Sequence, residues 1–419
     1  MYPVMTLSYG EIKRKKNIDS GLVPSNYDNY QMLYKGNIVL RLIDLQNDHT
    51  SLRTGLVKET GIITSAYTCI APLENASYIR YLLHSYDTRK VFYGYGGGVR
   101  QSIGFKDIRH LQVPVPPRAE QDQIVRYLDW QVSKINRLIA AKRKQIELMK
   151  DTLKSAVAKL TTHGIGSHDM CRSEIYWLTE YPSTWHVTKL KYILKKHRRE
   201  VPPNAELLIC SNSGEVTKRG DGKLGLVAAS DDIYQGVKTG DLLIHGMDTW
   251  HGAIAISNFD GMCTPVVHVC TCREEKRFVA YYLKMMAYTK VFKAISNGVR
   301  QNTSDFRSWD KVGDLLICLP DISEQVAIAD ELDKLTDATK KGIACFERHI
   351  EKLVDLRTRL ISDVVTGQID VRGIEVPDYE HYDEAPENAT EVPESESSDL
   401  AWASGRIAAG MEWILLFPR

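Results

Sequence analysis

The chain has 419 residues, more than one ordinary hydrophobic core accommodates, so we expect two or more domains. Its hydrophobic content of 43% and charged content of 26% are typical of a soluble globular protein. No apolar run is long enough to cross a bilayer, no secretory signal pattern opens the chain, and the eight cysteines include no CxxC pair. These features argue against a membrane protein, a disulfide scaffold and a cysteine metal site, and they predict a cytoplasmic protein with reduced thiols.

The net charge of +1 conceals an uneven distribution. From Gly373 onward there are eleven Asp and Glu residues against two Arg residues. Removing them from the totals of 53 and 54 leaves 42 acidic and 52 basic residues in the first 372 positions, a net charge of +10. This excess suits a polyanionic partner such as DNA, and ordinary solvated surface charge is the alternative.

The sequence contains an internal repeat with a period near 200 residues. The segment 98–101, Gly-Val-Arg-Gln, returns at 298–301. Further matches follow in the same order: Gly10-Glu11 with Gly214-Glu215, Gly36 with Gly240, Tyr81 with Tyr281, Glu120-Gln121 with Glu324-Gln325, and Leu128-Asp129 with Leu332-Asp333. This period is too long for a solenoid and indicates two copies of one α/β module, each followed by a long helix. Within the modules we predict strands at 36–40 and 240–244 and helices at 78–92 and 278–292.

Two long amphipathic helices are the clearest local prediction. Pro116-Pro117 precedes the first and Pro320 the second, and proline is tolerated in the first turn of a helix. Apolar residues follow at near-heptad spacing: Ile124, Leu128, Ile135, Leu138, Ile146, Met149, Leu153, Val157 and Leu160 in the first helix, and Leu332, Leu335, Ile343, Phe346, Ile350, Leu353, Leu360 and Val364 in the second. Because a lone helix of this kind would expose its apolar stripe, we expect the two helices to pack together.

The second module opens with a segment that the first module lacks. Tyr181-Pro182-x-x-Trp185 and Leu190-Lys191 predict an opening strand, whereas Met1 corresponds to Ala205 in the repeat. We therefore expect a first module that is short at its beginning. At the other end of the chain, 374–399 is rich in Glu, Asp, Pro and Ser, which predicts disorder.

This order of elements resembles that of the specificity subunits of type I restriction-modification enzymes. The resemblance covers 1–371 and rests on two modules that each end in Gly-x-Arg-Gln, a Pro/Glu-Gln element and a long helix, and on the helix endings 160–164 and 364–369. It implies an α+β fold in which two similar α/β target-recognition domains are joined by two long helices packed as an antiparallel coiled coil. The implied bounds are 1–116 and 174–320 for the recognition domains, 117–165 and 321–370 for the helices, and 371–419 for an acidic, disordered tail.

The resemblance also implies a role. Two domains on a rigid helical spacer would read the two halves of a bipartite, asymmetric target in double-stranded DNA, through the major groove. Such a subunit is not an enzyme itself; it directs adenine methylation or restriction by partners, which are two methyltransferase (modification) subunits and the restriction/translocase subunits. The resemblance implies no cofactor, no metal site and no membrane.

Basic residues follow the Gly-Glu pair in both modules and are candidate phosphate contacts, with a solvated charged loop as the alternative. They are Lys13, Arg14, Lys15 and Lys16 in the first module and Lys218 and Arg219 in the second. Arg100-Gln101 and Arg300-Gln301 follow glycine-containing turns, and these side-chain types can bond guanine and adenine edges. Because readers of different half-sites should differ, a shared backbone contact or a structural turn is the preferred interpretation of these identical pairs.

The residues that read bases are expected in the divergent stretches 41–60 and 245–260. These stretches contain Arg41, Gln46, Asn47, His49, Arg53, His245, Asp248, Trp250 and His251. Several of the nine must be core or loop residues.

Other classes of function fit parts of the sequence. Asp260 with Glu274-x-Lys276 has the composition of a nuclease metal site, but the first module does not repeat it. The chain has neither the Asn/Asp-Pro-Pro-aromatic motif of an adenine methyltransferase nor a Walker-type loop. A protein-interaction scaffold with two binding globules on a coiled-coil spacer is one alternative, and a degenerate or modification-only specificity subunit is another.

Overall fold

The computed structural model describes residues 2–8, 10–15, 27, 29–43, 45, 53–95, 103–220, 233–296 and 306–383. The chain forms two compact units. Unit 1 is Met1–Asn136 with Leu360–Arg419, and unit 2 is Arg137–Arg359. Helices and strands occur in both units, so the fold is of the mixed α and β class, as the sequence predicts.

In its described residues, unit 1 begins with seven short strands and continues into helices. The strands are β1 Met5–Ser8, β2 Glu11–Arg14, β3 Tyr30–Leu33, β4 Ile38–Leu40, β5 Thr54–Leu56, β6 Gly61–Thr64 and β7 Thr68–Ile70. The helices are α1 Ala76–Thr88, a 3₁₀ turn Val91–Gly94, α2 Phe105–Ile108 and the first part of α3 Arg118–His163. The strands form one sheet in the order β1-β2-β5-β4-β7 and a pair β3-β6. The helix α1 covers the sheet with Leu83, which is buried with Ile38 and Leu40 of β4.

The described residues of unit 2 form twelve strands and include most of the long-helix residues. The strands are β8 Met170–Arg172, β9 Glu180–Pro182, β10 His186–Lys189, β11 Leu194–His197, β12 Leu208–Cys210, β13 Val216–Lys218, β14 Gln235–Val237, β15 Leu242–His245, β16 Ile254–Ile256, β17 Gly261–Cys263, β18 Val267–Cys272 and β19 Leu316–Leu319. The helices are α4 Leu190–Ile193, a 3₁₀ turn Thr249–His251, α5 Lys276–Tyr288, α6 Val291–Ile295, α7 Trp309–Gly313 and α8 Ile322–Val365. The largest sheet has the order β11-β18-β15-β16.

The two units share a local plan, which explains the repeat in the sequence. The pairings β1-β2, β3-β6, β4-β5 and β4-β7 of unit 1 correspond to β12-β13, β14-β17, β15-β16 and β15-β18 of unit 2. The repeated glycines Gly36 and Gly240 both have positive φ, 92° and 89°, a conformation that residues with a Cβ rarely adopt. Each therefore marks the same turn before β4 or β15. The strands predicted at 36–40 and 240–244 are present as β4 and β15, but each begins two residues later than predicted, after this turn.

The helices predicted at 78–92 and 278–292 are shorter than expected. Both break at a lysine with positive φ, Lys90 at 58° and Lys290 at 62°. A left-handed residue ends a helix, so α1 stops at Thr88 and α5 at Tyr288. The 3₁₀ turn Val91–Gly94 and the helix α6 then follow as separate elements.

The long helices α3 and α8 pack against each other within each unit. In unit 1, Ile124 and Leu128 of α3 are buried with Ile361 and Val364 of α8. In unit 2, Val157 of α3 is buried with Ile328 and Leu332 of α8. Lys142 Nζ lies 4.6 Å from the centre of the Phe346 ring. Within unit 2, higher residue numbers in α3 therefore contact lower residue numbers in α8. The two helices run in opposite directions there.

The predicted apolar stripe of α3 is wrong at one residue. Leu138 is 52% exposed, whereas Ile139 is 1% exposed and takes the buried position. The reason is geometric, because 3.6 residues per turn drift against a strict seven-residue repeat. The helix bounds are also shorter than predicted, at Arg118–His163 and Ile322–Val365.

Part of the predicted disordered tail makes specific contacts in unit 1. Gln123 Nε2 of α3 donates to the carbonyl oxygens of Val371 at 3.0 Å and Ile374 at 2.6 Å. Further along, the backbone N–H of Tyr382 donates to Ser133 Oγ at 2.7 Å. Within 371–383, these hydrogen bonds join the backbone at Val371, Ile374 and Tyr382 to polar side chains of α3. The remainder of the tail, 384–419, lies outside the described residues.

Candidate nucleic-acid interface

The divergent stretch of unit 2 starts at the end of β15 and continues into the 3₁₀ turn Thr249–His251. His245 ends the strand, and its Nδ1 accepts a hydrogen bond from the backbone N–H of Asp248 at 3.2 Å. Burial lowers the pKa of His245, while the nearby Asp248 carboxylate opposes that change. The Asp248 carboxylate also lies 3.1 Å from Nδ1. The lowered pKa favours the neutral imidazole at pH 7.

The next two candidates of this stretch differ in exposure. Trp250 is half-buried and packs against the main cluster of unit 2, and its Nε1 is buried without an acceptor among the described residues. His251 is exposed, and the turn after it closes at Gly252 with φ of 83°. Of these two, His251 is the one that can reach a ligand without a change in the core.

In unit 1 the corresponding stretch follows β4. Arg53 is fully buried at 0% exposure, and its Nη1 donates to the carbonyl oxygens of Arg41 at 3.3 Å and Ile43 at 3.1 Å. Its backbone N–H donates to Asp87 Oδ2 at 2.7 Å. Arg53 is therefore one of the core residues expected among the nine candidates, because its guanidinium bonds to main-chain carbonyls inside the domain. Gln46, Asn47 and His49 lie outside the described residues.

The repeated Gly-Val-Arg-Gln segments, with Arg100-Gln101 and Arg300-Gln301, also lie outside the described residues. The residues just beyond them are described and equivalent. The backbone N–H of Ile103 donates to Leu42 O at 2.9 Å in unit 1, and that of Phe306 donates to Gly246 O at 3.0 Å in unit 2. In both units the chain after the segment is therefore bonded to the first residues of the divergent stretch.

Three of the basic candidate phosphate contacts lie in strands and have acidic partners. Lys13 and Arg14 belong to β2, where Lys13 pairs with Glu11 at 2.8 Å and Arg14 Nε donates to Glu59 at 2.7 Å. Lys218 belongs to β13 and pairs with Glu206 at 2.5 Å. The backbone N–H of Lys15 donates to Val4 O at 2.9 Å, and that of Arg219 to Leu207 O at 2.8 Å. Lys16 lies outside the described residues.

The sequence reasoning missed a basic groove in unit 2. It has a volume of about 650 Å³ and is lined by Lys191, Tyr192, Leu194, Lys195, Lys196, His197, Arg198, Arg273 and Trp309. The signal was present as a basic run at 195–199, Lys-Lys-His-Arg-Arg, which is the kind of short motif that marks nucleic-acid surfaces. The run ends the opening segment, which was read for its strand pattern alone.

The nuclease-like trio does not form a common site. Asp260 Oδ1 accepts a hydrogen bond from the Thr239 backbone N–H at 2.7 Å, and Glu274 accepts one from Gln325 at 2.9 Å. Lys276 Nζ donates to Gly240 O at 3.2 Å. Among the described residues no group of three His, Cys, Asp or Glu side chains could hold a metal ion. The described helices also include none that is long and apolar enough to span a membrane.

Comparison with known proteins points to one family. Residues 27–148 match the family model described as the type I restriction modification DNA specificity domain. The chain is 28% identical over 318 residues to a protein of Methanocaldococcus jannaschii assigned as the MjaX specificity subunit of a type I restriction enzyme, covering 70% of this chain and 68% of that protein. It is 26% identical over 293 residues to the MjaVIII specificity subunit of the same organism, covering 64% of each chain.

A solved structure gives the same fold. A chain from a study of complex assembly and conformational transition in the type I restriction-modification system aligns with a TM-score of 0.63 and 12% identity. The alignment covers 88% of this chain and 92% of that chain. Together with the shared local plan of the two units, these matches show that the chain is similar to the DNA specificity subunits of type I restriction-modification enzymes.

Proposed function

We propose that this specificity subunit reads a bipartite, asymmetric target in double-stranded DNA. In this proposal the recognition domains are 1–116 and 174–320, and each reads one half of the target. The observation that carries the proposal is the equivalent bond beyond each Gly-Val-Arg-Gln segment, Ile103 to Leu42 and Phe306 to Gly246. It holds the residue that follows a segment common to both units against a stretch that differs between them. A shared contact next to a variable one is what reading two different half-sites requires.

The spacing between the half-sites is set by α3 and α8 in this proposal. The opposite directions of the two helices within unit 2 support an antiparallel coiled coil. A helix of 46 residues is about 69 Å long at 1.5 Å per residue, or roughly two turns of B-DNA at 34–36 Å each. The unread gap between the half-sites would therefore be fixed by the helices and would not vary among targets.

The chemistry belongs to partners in this proposal. The chain would act in the cytoplasm, without a cofactor, as a scaffold for two methyltransferase (modification) subunits and for restriction/translocase subunits. Supporting this, the residues of the nuclease-like trio are each engaged in separate structural bonds. The candidate base readers are His251 and those divergent residues that lie outside the described part of unit 1.

The test is methylation in cells. The chain is co-expressed with the methyltransferase subunit encoded beside it, and genomic DNA is sequenced by a single-molecule method that detects N6-methyladenine. We expect a methylated motif with two defined halves and a gap of constant length. The methyltransferase subunit expressed alone is the control and should leave that motif unmodified. A soluble complex that methylates no motif, or only a palindrome, would contradict the proposal.

A further inference from the structure

The basic groove of unit 2 is formed by three separate pieces of chain. One is α4 with the strand β11, one is Arg273 just after β18, and one is Trp309 at the start of α7. Two backbone links hold the first two pieces together: β11 pairs with β18, and the N–H of Arg273 donates to Ile193 O at 2.9 Å. Trp309 is packed against the buried His268, with ring centres 5.6 Å apart. The groove is therefore part of the folded domain and is not a flexible loop.

The charge of the groove is unbalanced. Its lining contains five cationic side chains and no carboxylate: Lys191, Lys195, Lys196, Arg198 and Arg273. Lys191 pairs with Asp314 at 2.9 Å, just outside the lining. The other four cations have no acidic side chain within 4.0 Å in the described part of the chain. This differs from Lys13, Arg14 and Lys218, each of which has a carboxylate partner.

The groove lies on the same sheet as the candidate base-reading stretch. The strands β11 and β15 flank β18 and run parallel to each other, since both pair with β18 in antiparallel fashion. His197 of β11 and Leu243 of β15 both pair with Val269 of β18. Arg198, just after β11, and His245, the last residue of β15, therefore lie at the same end of the sheet. Two strand spacings of about 4.8 Å separate them by roughly 10 Å. This separation is comparable with the major-groove width of about 12 Å.

We propose that this groove binds the phosphodiester backbone of double-stranded DNA, beside the half-site that unit 2 reads. The inference rests on the proposed DNA-reading function and adds a surface to it. Lys195, Lys196, Arg198 and Arg273 contact successive phosphates, and the exposed ring of Tyr192 lies next to them. Because phosphate contacts carry no sequence information, the groove supplies affinity and register for unit 2 and leaves base choice to the neighbouring stretch.

The test compares two triple variants of the full chain. The groove variant is Lys195→Ala with Lys196→Ala and Arg198→Ala. The matched control is Lys150→Ala with Lys154→Ala and Lys334→Ala, which removes three exposed lysines from the long helices. The probe is a fluorescent mixed-sequence duplex about three helical turns long, and its dissociation constant is measured by anisotropy over a range of salt concentrations. A Lys195→Arg, Lys196→Arg, Arg198→Lys variant keeps the charge, and thermal unfolding checks that each protein is folded.

The dependence of DNA affinity on salt concentration shows whether the groove contacts phosphates. Each lost phosphate contact lowers the slope of log affinity against log salt by about 0.9, so three lost contacts lower it by about 2.7. We expect this loss in the groove variant alone, with the parent slope in the control and in the charge-keeping variant. A folded groove variant with the parent slope, or a control that loses as much, would overturn the inference while the proposed function stands. A parent chain whose binding to duplex DNA does not depend on salt would instead contradict the proposed function.

Discussion

The side-chain amide of Gln325 donates a hydrogen bond to the carboxylate of Glu274 at 2.9 Å. The same amide also donates to Pro320 O at 2.9 Å, and Gln325 Oε1 accepts from the backbone N–H of Glu275 at 3.1 Å. In unit 1 the residues 74, 75, 116 and 121 repeat all three bonds, at 2.9, 2.9 and 3.1 Å. Both glutamines are fully buried. The repeated Glu-Gln motif therefore joins the start of each long helix to the start of α1 or α5.

Removing this junction should destabilise the unit that contains it. We expect Gln325→Ala to lower the free energy of unfolding by about 1–3 kcal/mol, because a buried carbonyl and a partly buried carboxylate and N–H lose their partner. Gln121→Ala should do the same in unit 1. Urea unfolding followed by circular dichroism measures the change. Gln368→Ala, at an exposed glutamine, is the control and should change stability by less than about 0.5 kcal/mol. Equal effects of Gln325→Ala and Gln368→Ala would contradict the structural role of the junction.

The stability of unit 2 should fall in mild acid. Burial lowers the pKa of His268, and the hydrogen bond between its Nε2 and Phe306 O opposes that shift. A histidine with a lowered folded pKa binds fewer protons when folded, so its stabilising contribution is complete above the unfolded pKa of about 6.5 and is lost as pH falls below it. The loss per titrating group cannot exceed about 1.4 kcal/mol per pH unit. Thermal unfolding measured from about pH 7.5 to about pH 5, a range that includes the unfolded histidine pKa of about 6.5, tests this loss.

The variant His268→Gln separates this residue from the other histidines. Glutamine keeps a donor for Phe306 O and does not titrate, so the variant should lose less stability between neutral and acidic pH than the parent. Burial also lowers the pKa of His245, which continues to titrate in the variant. A variant whose stability depends on pH as steeply as that of the parent would show that His268 is not the responsible group.

Three cysteines should resist alkylation in the folded chain. Burial raises the pKa of Cys210, Cys263 and Cys270 to about 12, so almost no thiolate exists at pH 8. We expect iodoacetamide to modify them only after unfolding in urea, whereas the partly exposed Cys345 reacts in the native protein. Peptide mass spectrometry at timed intervals identifies the modified positions. Rapid native labelling of the three, at the rate of Cys345, would show that their strands open readily.

The exposed His251 should affect one half of the target only. A contact to a base edge contributes about 1–3 kcal/mol of discrimination, so His251→Ala should relax base preference at one position of the half-site that unit 2 reads. Stability should change by less than about 0.5 kcal/mol. The methylation motif of cells that express the variant is the readout. His349→Ala, at an exposed histidine of α8, is the control and should leave the motif unchanged. A motif altered in neither half would remove His251 from the candidate readers.

The repeat and the long helices were predictable from the sequence because they depend on patterns of residue type. Glycines at positive φ, such as Gly36 and Gly240, keep their places in both copies, and heptad spacing follows directly from helix geometry. The error at Leu138 shows the limit of that spacing, since a one-residue shift along the helix exchanges a buried position for an exposed one.

The candidate interface was less predictable. Nothing in the sequence distinguishes Arg53, whose guanidinium bonds to main-chain carbonyls in the core, from a base-reading arginine in the same stretch. Nor does it show that Arg273 lies beside β11 and completes a basic groove, because that juxtaposition comes from strand pairing. Likewise, residues 371–383 are bonded to polar groups of α3 such as Gln123, and the composition of the tail does not reveal these hydrogen bonds.

The junctions at Gln121 and Gln325 have a consequence for how new variants of this protein arise. Both use the same residue types and the same donor and acceptor atoms, and a tyrosine–aspartate bond of 2.7 Å accompanies each, Tyr81 with Asp129 and Tyr281 with Asp333. A module transferred from one position to the other by recombination would meet the helix through identical bonds. Modules bounded at these junctions would therefore be interchangeable, and under the proposed function their exchange would generate new pairs of half-sites without a change in the long helices.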